Sequence, residues 1–374
     1  MPFDVAVIGL GATGSAALYR LATRGQRAVG IEQFTPGHQR GSSHGETRII
    51  RLGYFEHPSY VPLVRAALAL WRALESEAGE KLLQVTGVLE VGAPDGTLVA
   101  GTLRSARTHG LPHEVLDAAT VQRRFPALQV PEDFVGVLQP DGGILFPEAA
   151  VRVQLALAKA AGAEVRTNET VRAIEPAASG VRIVTDRDVV TAERAIVAAG
   201  PWIKRLLPGL PAPLRVTRQV VGWFAPADPV LFAPARCPVF MIENGDGLFY
   251  GFPAGAKPGI KFAKHHHADQ IVDPDAPVEP LTDADEAMLR AALAAHLPSA
   301  DGRLLDHQTC LYTLAPDGDF IIDHLPGAAG VIIASPCSGH GFKFAPVVGD
   351  ILADLATAGC TRHDISRFRL ARFG

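Results

Sequence analysis

The first 32 residues constrain this 374-residue chain more than any other stretch. Residues 3–9 read as a buried strand, and Gly9-Leu10-Gly11-Ala12-Thr13-Gly14 follows as a glycine-rich turn. An Ala/Leu-rich helix is predicted over 12–24, and a second strand over 27–32 ends on the acid Glu32. A lone Gly-x-Gly-x-x-Gly is a weak signal. Strand, turn, helix, strand and acid in this order form a dinucleotide-binding unit. Gly9 permits the tight turn, Gly11 lets backbone approach a pyrophosphate, and Gly14 lets helix and strand pack closely. The helix N-terminus offers N–H donors to the pyrophosphate. Glu32 is placed to accept from a ribose hydroxyl.

The remaining pattern is interleaved. An amphipathic helix is predicted over 58–79, where Val61, Val64, Leu68, Trp71 and Leu74 recur at three- and four-residue steps. A short strand follows at 87–92, a helix at 147–162, a strand at 164–166, an antiparallel meander over 171–190 and a buried strand at 194–200. Antiparallel strands are expected at 215–224, 239–243 and 248–252, with an acidic helix at 283–296. A buried strand at 330–335 and a helix at 345–358 return to the opening pattern. The expected fold is therefore α/β, with a discontinuous Rossmann-like domain over 1–80, 145–214 and 310–374. A substrate domain with a mostly antiparallel sheet, 81–144 and 215–309, is inserted into it.

Composition excludes several classes. Hydrophobic residues make up 48% and charged residues 20%, so a sizeable core is available. The net charge is −4 and no long basic block appears, which argues against nucleic acid. No apolar run approaches the length needed to span a bilayer. The N-terminus shows no targeting leader, so a cytoplasmic location is the expectation. The four cysteines, Cys237, Cys310, Cys337 and Cys360, lack metal-site spacing and are expected to be free thiols, at least two of them buried. Adjacent His265, His266 and His267 have no acid or cysteine cluster near them in sequence, so no metal site is expected.

Later segments narrow the cofactor. They are Gly41-Ser42-Ser43-His44-Gly45-Glu46-Thr47-Arg48-Ile49-Ile50-Arg51, Tyr250-Gly251-Phe252-Pro253, Gly259-Ile260-Lys261, Cys310-Leu311-Tyr312-Thr313, Phe320-Ile321-Ile322-Asp323 and Ser338-Gly339-His340-Gly341-Phe342-Lys343-Phe344. With these segments in this order, the chain resembles the monomeric sarcosine oxidase and N-methyltryptophan oxidase family of FAD-dependent amine oxidases along nearly its whole length. The resemblance implies FAD held by a thioether to Cys310. It also implies oxidation of a small secondary amino acid such as sarcosine by oxygen, giving an aldehyde, the primary amino acid and hydrogen peroxide. The amino acid and oxygen would be the partners of a monomeric enzyme.

The same resemblance assigns site residues. Arg51 and Lys343 would hold the substrate carboxylate, as a guanidinium fork and a point charge. Both sit among apolar neighbours, so an empty pocket is expected to leave them without a partner and to attract an anion. Lys261 would assist oxygen at the flavin face opposite the substrate. Arg48 and His44 would act electrostatically beside the ring, and His265 would stand at the active site, although the chemistry requires no protein base. Tyr250, Tyr312 and Met241 would wall the pocket. Gly339 and Gly341, with Lys343, would contact the cofactor beside Gly9, Gly11, Gly14, Glu32 and Cys310. Cys337 is expected to line the site without anchoring flavin.

The chain departs from the family pattern at Lys264, at Gly318-Asp319 and at Ser335-Pro336-Cys337. Substrate size therefore stays open, and larger N-alkyl, cyclic or glycated amino acids remain alternatives. A dehydrogenase of the same fold that passes electrons to a carrier, and a non-enzymatic flavin-binding module, are the other readings. The Cys310 segment disfavours a nicotinamide enzyme.

Overall fold

The computed structural model describes residues 2–177 and 180–374. Met1 and the turn of the expected meander, 178–179, lie outside the described residues.

The fingerprint folds as its spacing dictates. Strand Phe3–Ile8 runs parallel to Ala28–Glu32, and helix Ala12–Thr23 connects them. Gly9 adopts φ +86°, a left-handed conformation suited to glycine. A Cβ on Gly14 would lie 1.8 Å from the Gly9 carbonyl oxygen, so only glycine lets the helix start this close to the strand. The helix then packs between Pro147–Ala160 and Ala345–Ala358.

The central sheet runs in the order Val171–Ala177, Gly180–Thr185, Val189–Val197, Phe3–Ile8, Ala28–Glu32 and Glu164–Thr167. Ala328–Ser335 adds in parallel to Val189–Val197, and Ile321–Leu325 pairs with it antiparallel. Three distant parts of the chain thus share one sheet. A second sheet has the order Leu304–Leu314, Arg215–Phe224, Ile260–Lys264, Gly247–Gly251, Val239–Asn244, Val88–Gly92, Val135–Gln139 and Glu114–Asp117. Its pairings are antiparallel except that between Val239–Asn244 and Val88–Gly92. The strand Leu304–Leu314 crosses the expected boundary at 310 without a break. Arg48–Ile50, Gly143–Leu145 and Leu83–Val85 form a small third sheet.

Several elements differ from the sequence expectation. The helix at 58–79 opens as a 3-10 turn, Pro58–Tyr60, and continues as the α-helix Val61–Ala78, capped by left-handed Gly79. Helices Thr97–His109 and Ala118–Arg124 were not expected, and the strands at 114–117 and 135–139 were not either. The expectation of two buried cysteines fails. Cys237 is buried, Cys310 and Cys337 are half-buried, Cys360 is exposed, and all four are free. The reason is the cleft that Cys310 and Cys337 line.

Candidate active site

One long cleft joins the two large sheets. Its empty space, open mouth included, is about 2090 Å³. At one end lie Gly9, Gly11 and Glu32, and at the other Arg51, His340 and Lys343. Arg48, Lys261 and Cys310 lie along the walls, as do His44, Met241, Tyr250, His265, Tyr312, Cys337, Gly339 and Gly341. Gly14 sits behind the turn instead of facing the cleft.

Glu32 is buried at the dinucleotide end. Its carboxylate accepts from the backbone N–H of Leu10 at 2.8 Å and of Phe34 at 3.0 Å. Burial pushes its pKa up, and these donors oppose the shift. His38 approaches to 3.7 Å, an unanticipated neighbour.

Arg48 donates to the carbonyls of Thr47 and Ser42, each at 2.8 Å. His44 lies 3.2 Å from the Gly41 carbonyl. Burial, then Arg48, pulls its pKa down to about 4. His44 is therefore neutral at pH 7 and contributes a dipole, leaving Arg48 the charge of this segment.

Lys261 reaches from the strand Ile260–Lys264 to the loop that precedes Arg48–Ile50. Its ammonium donates to the Gly45 carbonyl at 2.6 Å and to the carbonyl and hydroxyl of Thr47, both at 3.0 Å. Burial and the nearby Arg48 pull its pKa well below the ordinary lysine value. The three oxygen acceptors oppose this, because they match the three N–H bonds of the charged form. Cys310, on the strand Leu304–Leu314, lies in the same wall. Burial raises its pKa, with Arg48 and Lys261 acting against the rise.

At the far end the expected unpartnered Arg51 is not found. Its guanidinium donates to both carboxylate oxygens of Glu56, at 2.6 and 2.7 Å, and to the Gly53 carbonyl at 3.3 Å. Glu90 stands 3.8 Å from its Nε. Burial is the largest single influence and works against the charge on Arg51, but Glu56, Tyr54 and Glu90 together outweigh it and the pKa rises. The physical reason is the desolvation cost of an isolated buried cation, which the fold offsets with its own carboxylates. Lys343 is also buried, and it donates to the His340 carbonyl at 2.8 Å. Burial, then Arg51, lowers its pKa to about 7. Both cations lie against the ring of Tyr54, at 4.3 and 5.4 Å from its centroid.

Sequence reasoning missed the support beneath this end. The Tyr54 hydroxyl meets His340 Nδ1 at 2.5 Å, and His340 Nε2 lies 3.1 Å from the Gly318 carbonyl. Tyr60 donates to Asp319 at 2.8 Å. The departure at Gly318-Asp319 thus braces the pocket. A Cβ on Gly341 would fall 1.4 Å from the Pro336 carbonyl, so packing alone demands glycine there.

The histidine run separates. His265 Nδ1 lies 3.3 Å from the Tyr312 hydroxyl, and burial holds its pKa well down. His266 turns at φ +52°, and His267 reaches Asp285 at 2.6 Å. Tyr250 and Tyr312 are pushed up by burial, Tyr250 to about 12. Met241 and Tyr250 face one another across adjacent strands.

A polar group fits this cleft. Three buried wall atoms, His44 Nδ1, Gln308 Oε1 and Ser335 Oγ, have no hydrogen-bond partner among the described residues. With the glycine turn and Glu32 at one end, they suit an extended dinucleotide. Residues 4–355 match the model of the FAD dependent oxidoreductase family, DAO. The chain belongs to this family.

Members of known activity are similar over their full length. Monomeric sarcosine oxidase of Streptomyces avermitilis is 40% identical over 371 residues, 98% of this chain and 96% of that one. N-methyl-L-tryptophan oxidase of Yersinia pestis is 38% identical over 375 residues, covering all of both chains. Among solved structures, NikD, an amino acid oxidase essential for nikkomycin biosynthesis, superposes with a TM-score of 0.86 at 30% identity, over 98% of this chain and 97% of that one. The chain is thus an FAD-dependent oxidoreductase with a mixed α/β fold. Among its described residues no helix is long and apolar enough to cross a membrane.

Proposed function

We propose that this enzyme oxidises a small secondary amino acid, sarcosine or a close N-alkyl relative, with oxygen as acceptor and hydrogen peroxide as product. The carrying observation is the pair of buried cations, Arg51 and Lys343, at the far end of a cleft that starts on a dinucleotide fingerprint. An amine substrate alone needs no such pair, whereas an amino-acid carboxylate gains charge-assisted hydrogen bonds from both. The full-length similarity to a sarcosine oxidase supports the same reading.

FAD, when bound, supplies the acceptor for a hydride equivalent from the carbon beside the amine nitrogen. Gly9, Gly11, the first turn of Ala12–Thr23 and Glu32 would hold its dinucleotide half, with Gly339 and Gly341 nearby. Cys310 would carry the thioether. Arg51 and Lys343 orient the substrate through its carboxylate, so the amine end is directed along the cleft. Tyr250, Tyr312 and Met241 exclude water from the reacting carbon. His265, neutral and close to Tyr312, requires no desolvated charge beside an incoming amine. Lys261 and Arg48 supply positive charge where oxygen gains electrons, a form of electrostatic preorganisation. The imine product hydrolyses to the aldehyde and primary amino acid.

Residues 1–80, 145–214 and 310–374 would form the FAD-binding domain, and 81–144 with 215–309 the substrate domain. The strand that crosses residue 310 would then tie the two together. The relative named as a monomeric oxidase supports a monomer, and the reading places it in the cytoplasm. A peroxide-coupled screen of secondary amino acids on the yellow purified protein tests the proposal. Sarcosine or another N-alkyl amino acid should give peroxide with matching oxygen uptake. Turnover with an artificial electron acceptor but none with oxygen would make it a dehydrogenase, and no turnover at all would defeat the enzymatic reading.

A further inference from the structure

Arg51 has two carboxylate neighbours of different character. Glu56 lies in a loop, with 21% of its side chain exposed, and bonds the Nη2 edge. Glu90 lies in the strand Val88–Gly92, is 0% exposed and faces Nε at 3.8 Å. A substrate carboxylate reaching the guanidinium must compete with Glu56, which can turn into solvent. Glu90 has no solvent to turn into.

Glu90 is held in turn. Gln139 Nε2 donates to its Oε2 at 2.6 Å, while the side-chain oxygen of Gln139, Oε1, accepts from the backbone N–H of Leu52 at 3.0 Å and of Gly53 at 2.6 Å. One amide therefore fixes both the acid and the backbone just beyond Arg51. The other oxygen of Glu90, its Oε1, has no hydrogen-bond partner among the described residues and stands on the Arg51 side. Glu90 is also the cross-strand neighbour of Met241, which lines the cleft. A buried acid in this position costs desolvation, and its pKa, driven first by burial, rises to about 7. Its nearest cation is the one the substrate is proposed to use.

We infer that Glu90 is a positioning residue: braced by Gln139, it holds the Nε side of Arg51 so that the Nη edge stays turned to the cleft while Glu56 yields to a substrate carboxylate. This rests on the proposed carboxylate clamp and adds to it a fixed partner and an exchangeable one. The exchange sets one carboxylate in the place of another, the substrate's replacing that of Glu56 on the Nη edge.

The test uses the flavin-loaded protein and acetate as the probe, read by the change in the flavin absorption spectrum. Glu90→Gln is nearly isosteric. It keeps the bond from Gln139 only by turning its own amide N–H toward Arg51, where an acceptor stood. Acetate affinity should fall about tenfold, the scale on which outer partners act on the side chains they orient. The substrate concentration for half-maximal flavin reduction should rise in step, while the limiting reduction rate stays within about twofold. Glu90→Asp, which keeps the acid, should recover part of the affinity. Gln139→Met, which frees Glu90 from its brace, should lower acetate affinity in the same direction. Wild-type acetate affinity in Glu90→Gln and Gln139→Met would overturn the inference, as would an equal fall in the limiting rate. A wild-type protein blind to acetate would instead defeat the clamp itself, so the two failures are distinct.

Discussion

The Arg51 guanidinium meets both carboxylate oxygens of Glu56, at 2.6 and 2.7 Å, inside the pocket proposed for the substrate carboxylate. The pocket thus contains its own internal anion. Any ligand carboxylate must displace it, and its strength sets part of the binding free energy.

Glu56→Gln should therefore tighten acetate binding. A hydrogen bond to a charged group contributes about 1.5 kcal/mol or more, so the gain should be about tenfold. Spectral titration of the loaded protein measures it. Weaker binding in Glu56→Gln would show that Glu56 supports the bound ligand instead of competing with it.

Acetate affinity should depend on pH. Lys343, lowered to about 7, is charged below that value and loses its proton as pH rises through it. Glu90, raised to about 7, gains a negative charge over the same range. Loss of the Lys343 charge disfavours an anion, and ionised Glu90, which completes the hold on Arg51, offsets part of that loss. Affinity should be highest below pH 7 and fall by up to about tenfold per pH unit above it, until the pKa of the ligand-bound state is reached. Titrations between pH 6 and 9 check this, and Lys343→Met should flatten most of the slope. Affinity that rises with pH would contradict the assignment.

Lys261 should matter to oxygen. Lys261→Met removes a charge whose three hydrogen bonds fix it between Gly45 and Thr47. The oxygen-dependent half-reaction should slow by about 100- to 1000-fold, the usual cost of one preorganised electrostatic group. Anaerobic reduction by substrate should change far less. Stopped-flow measurement of both halves decides, and equal losses would make Lys261 a structural residue.

Cys310 should keep its flavin through acid precipitation. Intact mass should exceed the polypeptide by one FAD, and Cys310→Ser should release the yellow colour into the supernatant. Flavin lost from fully loaded wild-type protein would remove the thioether.

Much of this architecture was legible because its signals are local. The turn Gly9 to Gly14 and the acid Glu32 sit within one strand–helix–strand unit whose close contacts leave little freedom. Four strands of the largely antiparallel second sheet, at 87–92, 215–224, 239–243 and 248–252, were anticipated, whereas Ile260–Lys264 and Leu304–Leu314 were not. The helix Thr97–His109 could not be anticipated, because its buried face mixes Gly101, Thr102 and Ser105 with Leu98 and Val99, and so lacks an apolar stripe. The partners of Arg51 were illegible for another reason. Glu56 looks like a loop acid, and Glu90, alone in Val88-Leu89-Glu90-Val91, looks like the solvent side of a strand. Only the fold brings Glu90, braced by Gln139, to the Arg51 guanidinium, and no spacing rule joins residues 51, 90 and 139.

The central claim is that Arg51 and Lys343 together hold a substrate carboxylate. Acetate should be titrated into flavin-loaded wild-type protein, Arg51→Ala, Lys343→Ala and the double variant, with flavin content confirmed in each. Loss of one partner from a buried charge pair commonly costs about 2–5 kcal/mol, so each single variant should bind acetate at least about thirtyfold more weakly. The double variant should lose less than the sum, because both cations serve one ligand. Unchanged acetate affinity in both single variants would contradict the account.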